Sequence, residues 1–130
     1  MTAVPSHVVL LDSITQVDAS HTGHCVVTGS HGGVSAARYA RAVAARVYVF
    51  NDAGVGKDAA GVAALALLDA HGIAAAAVAH DSARIGEARD TWDGGVISHR
   101  NATAGRIGLQ TGARLSQALL ALSAAPRAAD

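Results

Sequence analysis

Aromatic side chains are scarce in this chain, which has one Trp, one Phe and two Tyr among 130 residues. The apolar half of the sequence is mostly Ala, Val and Leu, so its core has to close by near approach of backbones rather than by large side chains. Charge of one sign is also missing: ten basic residues balance ten acidic ones, which leaves no net field to attract nucleic acid or anionic lipid. No nucleic-acid partner is expected. A single cysteine, Cys25, excludes an internal disulfide and reads as a small buried hydrophobe in an apolar strand. No run of about 18 apolar residues occurs, so no membrane span is expected. Val8 to Leu11 is too short for the apolar region of a signal peptide and no basic segment precedes it, which points to a cytoplasmic chain. There the sequon Asn101-Ala-Thr103 is idle.

What is present suffices for one domain with a real core, needing neither disulfide nor structural metal. The expected domain covers residues 1–123, with a frayed, proline-containing tail over 124–130. Near-zero net charge on a modestly charged surface suits self-association, and a homo-oligomer is expected.

Val47-Tyr-Val-Phe-Asn-Asp-Ala-Gly-Val-Gly-Lys-Asp58 is the stretch that organises the rest. A short apolar run stops at a glycine-rich polar turn and then enters a helix. The same pattern occurs at Cys25 to Gly33 and at Ala74 to Gly86. Three strands of a parallel sheet would bring these turns out on one edge, the carboxyl edge at which open α/β sheets bind ligands. The fold expected is a three-layer α/β domain, Rossmann-like or flavodoxin-like in outline, with a mostly parallel sheet of four or five strands. No helical pattern separates the run His7–Asp12 from the strand at Cys25, so the first strand is expected to lie antiparallel to the second.

Helices are expected over Val34–Ala45, with Val34, Ala37, Ala40 and Ala44 on one face, and over Ala59–Ala70, capped by Asp58 and stopped by Gly72. The second is apolar nearly all round and should be buried on more than one side. Ile85, Ala88 and Trp92 recur at helical spacing before Gly94-Gly95, with Trp92 read as core or subunit contact. A short strand at Val96–Ser98, a helix opened by His99-Arg-Asn101 and a last helix capped by Thr111, with a Leu115, Leu119, Leu122 stripe, complete the chain.

Several signatures nearly match and fail. Gly54-Val-Gly56-Lys57 approaches a P-loop, but Asn51 replaces the first glycine and Asp58 the magnesium-binding Ser or Thr. A dinucleotide fingerprint fails because the third glycine is Gly61, two residues late, and no acidic residue follows at ribose distance. His21 and His24 form a His-x-x-His pair without a third ligand, so no metal is expected. Thr28-Gly-Ser30-His-Gly32 lacks only the first glycine of a nucleophile elbow, which keeps Ser30 open as a serine-hydrolase nucleophile.

Taken together, the strand-end loops hold a mixture that turn chemistry alone does not require: three histidines, a lysine and an arginine among the usual Asp, Asn and Ser. Such a set offers proton transfer near neutral pH and cations to hold an anion. His31, Asp52, His80, Asp81 and Ser82 are the candidate catalytic residues, with His31 or His80 as general acid or base and Asp52 or Asp81 orienting it. Ser30, Gly32, Gly33, Asn51, Lys57, Arg84 and His99 are the candidate ligand-binding residues, the backbone at Gly32 and Gly33 steadying developing negative charge. The expected function is a small enzyme without a tightly held cofactor, a hydrolase, lyase or isomerase acting on a small anionic metabolite. A non-catalytic metabolite-binding module and a structural homo-oligomer are the alternatives.

Overall fold

The structure, a computed structural model, describes residues 2–124, the last two by their backbone alone. Most of the expected tail lies outside these residues. Five strands form one sheet: β1 (Val8–Leu11), β2 (Cys25–His31), β3 (Val47–Asn51), β4 (Ala75–Val78) and β5 (Ile97–Arg100). They stand in chain order, with the first four parallel and β5 antiparallel beside β4. The helices are α1 (Val34–Arg41), α2 (Ala63–Asp69), α3 (Ala88–Gly94), α4 (Ala102–Arg106) and α5 (Leu115–Ala124). Among the described residues no helix is long and apolar enough to cross a membrane.

Side chains alternate across the sheet as a strand period of two requires. Val26, Tyr48, Phe50, Ala75 and Ala77 face one core, which is closed by Ile14, by Ala36, Ala37 and Ala40 of α1, and by Ala64, Leu65 and Leu68 of α2. Cys25, Val27, Val47, Val49, Ala76 and Val78 face the other, with Trp92 of α3, Ala104 of α4, and Leu115, Leu119 and Leu122 of α5. The result is a three-layer α/β fold. Adjacent parallel strands in chain order need successive right-handed crossovers, which all fall on the same face. Rossmann and flavodoxin orders instead reverse at a switch point, so only the layered outline is shared with them.

The first strand is parallel to the second, with Val8 opposite Cys25 and Leu11 opposite Thr28, contrary to the antiparallel expectation. Two single-turn 3₁₀ helices, Ile14–Gln16 and Ala19–His21, make the crossover without any 3.6-residue pattern. Each is closed reciprocally. Ser13 Oγ accepts from Thr15 N while Gln16 Oε1 accepts from Ser13 N, and Asp18 Oδ1 accepts from Ser20 N while His21 Nδ1 accepts from Asp18 N. The reversed strand is the last. After β4 the chain runs along the carboxyl edge as far as Gly29, whose carbonyl accepts from Gly86 N at 2.7 Å. Then α3 returns it to the end of β4, where Val96 O accepts from Ala79 N. It therefore enters β5 at the edge where β4 left off.

Other boundaries shift for local reasons. Helix α1 stops at Arg41 and buries Ala36, Ala37 and Ala40, leaving Val34 exposed. Helix α2 begins at Ala63 without a side-chain cap, because Asp58 and Ala59 take left-handed φ angles of 55° and 57° and cannot serve as its first turn. Its Leu67 is 42% exposed, so the helix is not enclosed on all sides. Ile85 is exposed and precedes α3, whereas Trp92 is fully buried and its indole N–H points at the carbonyls of Thr2 and Ala3. His99 and Arg100 belong to β5 rather than opening the next helix, and Asn101 caps α4, accepting from Ala104 N. Thr111 lies in the turn ahead of α5, whose leucine stripe is buried as expected.

Candidate functional site

At the carboxyl end of β3 the chain carries an acidic residue into the protein. Asp52 is only 4% exposed. Its Oδ1 accepts from the backbone N–H of Gly54 at 2.8 Å and of His80 at 3.0 Å, and its Oδ2 accepts from Ser98 Oγ at 2.7 Å. Burial is the largest single influence on its titration and pushes the carboxyl up. The bonds from Ser98, Gly54 and His80, with the His80 ring nearby, together outweigh it and hold Asp52 below the usual carboxylate range. An ionised carboxylate therefore sits almost out of water.

Two imidazoles flank it. His80 Nδ1 lies 3.5 Å from Oδ1 and His99 Nδ1 lies 3.9 Å from Oδ2, with side chains 61% and 41% exposed. His99 Nδ1 is also 3.0 Å from Ser98 Oγ. The four residues come from the ends of β3 and β4 and the start of β5, which meet only because β5 is reversed. Buried charge on one side and half-exposed rings on the other let a proton be taken or given at an imidazole while the carboxylate balances the charge.

The loop after Asp52 is strained. Ala53, Val55, Asp58 and Ala59 all have φ between 52° and 68°, a region costly for residues with a Cβ and most costly for a β-branched one. The turn is held from within: Val55 N donates to Asp52 O, and Gly61 N donates to Val55 O, both at 2.7 Å. Gly61 is obligatory there because a Cβ would run into the Asp52 carbonyl.

The remaining candidates divide. His31 is exposed and lines a shallow cleft of about 380 Å³ with Gly33, Val55, Gly56 and Gly61. Asp81, Ser82 and Arg84 line another, of about 290 Å³, beside His80. Lys57 is exposed on the strained loop. Three candidates are engaged in holding the chain instead. Asn51 is fully buried, with its amide donating to Ala83 O and its Oδ1 accepting from Ala53 N, so it is not placed to bind a ligand. Ser82 Oγ donates to Ala79 O and accepts from Val96 N, joining β4 to β5. Gly32 is buried between Phe50 and Gly61, and its N–H is spent on Asn51 O rather than turned to an oxyanion.

Ser30 lies inside β2, not on a strand-to-helix turn, and its Oγ accepts from Ile14 N at 2.9 Å. His21 and His24 lie in the crossover, and among the described residues no three His, Cys, Asp or Glu side chains gather as a metal site. Ser98 is the residue that sequence reading passed over. Its signal, a Ser-His pair at the start of a strand, becomes informative only once β5 is known to run backwards.

Comparison of the chain with protein-family models, with curated proteins and with solved structures finds no match.

Proposed function

We propose that the carboxyl edge of the sheet is an acid–base site and that the chain is a small enzyme acting on a polar, anionic small molecule, as a hydrolase, lyase or isomerase. The observation that carries this reading is the buried Asp52 carboxylate between two half-exposed imidazoles, His80 and His99. In this reading one imidazole takes a proton from the substrate or from water, the other returns one, and Asp52 offsets the positive charge that forms. Arg84, beside His80, and Lys57, on the neighbouring loop, supply cations for a carboxylate or phosphate. The strained loop agrees with a functional edge, since backbone held in costly regions clusters at such places. Four candidates recede: Ser30, Ser82, Asn51 and the N–H of Gly32 already serve backbone groups.

The test is a panel of small carboxylates and phosphate esters, scored by thermal shift and by product formation, on the parent and on a His80→Gln/His99→Gln variant. At least one compound is expected to raise the parent's Tm and to be converted, with conversion lost in the variant. Binding without conversion would replace the enzyme by a metabolite-binding module. Equal response of parent and variant would remove these histidines from the site.

A second reading, a self-associating chain, rests on the outer surface of α1 and α2, where Val34, Tyr39 and Leu67 are exposed. Leu67 shares a groove with Val34, Arg38, Arg41 and His71. Sedimentation of the parent against Leu67→Glu checks it: a dimer or larger species that dissociates in the variant is the expected result, and a parent monomer at every concentration sinks it.

A further inference from the structure

Ser98 Oγ has one proton and three neighbours able to compete for it or meet it. Asp52 Oδ2 lies at 2.7 Å, the Ala77 carbonyl oxygen at 3.4 Å and His99 Nδ1 at 3.0 Å. The carboxylate and the carbonyl can only accept. The carboxylate is both nearer and charged, so the Ser98 proton belongs to Asp52. Ser98 Oγ then presents only lone pairs to His99, and a bond at 3.0 Å requires the hydrogen to be on Nδ1.

In a neutral imidazole one nitrogen carries the proton and the other accepts, so Nε2 of His99 is left with the free lone pair. The opposite tautomer would set two lone pairs against each other at 3.0 Å, or would turn the Ser98 hydroxyl away from Asp52 and leave two acceptor oxygens 2.7 Å apart. His80 has no comparable constraint. Its Nδ1 is 3.5 Å from Asp52 Oδ1, an oxygen already accepting two backbone N–H groups, and its side chain is mostly exposed.

We infer that Ser98 is a positioning residue: bonded to Asp52 on one side and His99 on the other, it fixes His99 as the Nδ1–H tautomer and makes Nε2 the basic atom of the site. This rests on the acid–base reading above for its purpose, though not for its geometry. When Nε2 takes a proton, the Nε2–H bond forms as the donor's X–H bond breaks, and the pair of electrons stays on the donor. The imidazolium so formed keeps its Nδ1–H on Ser98 and faces the Asp52 carboxylate at 3.9 Å. No proton crosses Ser98 in this step. His99 also lines a cleft of about 350 Å³ with Val62, Leu65, Ala66, Asp69 and Arg100.

The experiment is a two-bond ¹H–¹⁵N correlation spectrum of the full chain with ¹⁵N-labelled histidine, at about pH 8, above the ordinary imidazole range. The His99 signals are identified by their loss in His99→Gln. The expected pattern is a pyrrole-type Nδ1 and a pyridine-type Nε2 for His99 in the parent, exchanging their assignments in Ser98→Ala, with Ser98→Gly as a second variant should the first not fold. Ser98→Thr, which keeps the hydroxyl, should retain the parent pattern. A parent His99 of the Nε2–H form overturns the inference, and so does a pattern unchanged by loss of the Ser98 hydroxyl. The outcome is separable from that of the metabolite panel. A fixed tautomer with no ligand found refutes the proposed function alone, whereas a converted substrate with an Nε2–H parent refutes the role of Ser98 alone.

Discussion

Val55 stands at φ 68° in a turn whose hydrogen bonds, to Asp52 O and from Gly61 N, allow no other path. A left-handed conformation costs a residue with a Cβ about 1–2 kcal/mol, more when the side chain is β-branched. Asparagine tolerates this region through its short polar side chain. Val55→Asn is therefore expected to raise the unfolding free energy by about 1 kcal/mol, measured by urea denaturation, and any loss on the site's activity would show that the strain serves the loop's position. Gly61 behaves oppositely. Gly61→Ala is expected to cost about 1–3 kcal/mol, because the new Cβ meets the rigid Asp52 carbonyl and not a movable side chain.

Among the elements, the start of α4 depends on one side chain. Asn101 Oδ1 accepts from Ala104 N and from Ala75 N, and its Nδ2 donates to the carbonyls of Leu65 and Ile73. One amide thus caps α4, satisfies Ala75 N at the start of β4 and ties in the carbonyls of Leu65 in α2 and Ile73 ahead of β4, while leaving no room for a glycan on its buried nitrogen. Truncation would remove four hydrogen bonds to backbone groups, each worth of the order of 1 kcal/mol. Asn101→Ala is expected to lose about 3 kcal/mol or more in chemical denaturation, against about 1 kcal/mol for a simple cap such as Ser13→Ala in the first crossover. If the two variants lose the same amount, Asn101 is only a cap.

For the whole molecule, the buried carboxylate sets part of the pH dependence. The folded state holds Asp52 below its ordinary value, so it contributes stability that is fully present above the unfolded pKa of about 3.9 and is lost as pH falls through the lower folded value. Asp52→Asn keeps the shape and removes the charge. It is expected to be less stable than the parent by about 1–2 kcal/mol at neutral pH, since bonds to a charged acceptor are worth more than neutral ones. That gap should close as pH falls through the lowered folded value, where the parent's carboxyl also becomes neutral. Exposed carboxylates elsewhere titrate alike in both proteins and cancel in the difference. A gap independent of pH would show that the charge of Asp52 does not set the difference.

The layered α/β architecture was legible in the sequence because unbroken apolar runs such as Val47–Phe50 fit only strands covered on both faces, and because glycine turns follow them. The carboxyl edge, and Asp52 and His80 on it, were legible for the same reason, whereas His99 reaches that edge only because β5 is reversed. The direction of the outer strands was not. Capped 3₁₀ turns carry no helical period, so the crossover that makes β1 parallel looks like a loop. The reversal of β5 depends on where Gly86 meets Gly29, a contact between residues far apart in the chain. The same distance separates the two fates of polar residues at one edge. Residue type places Asn51, Asp52, Ser82 and Ser98 in strand-end turns alike. Only packing decided that Asn51 and Ser82 bind the chain to itself, while Asp52 and Ser98 converge on two histidines, because hydrogen-bond partners across a sheet are chosen by tertiary contact and not by spacing along the sequence.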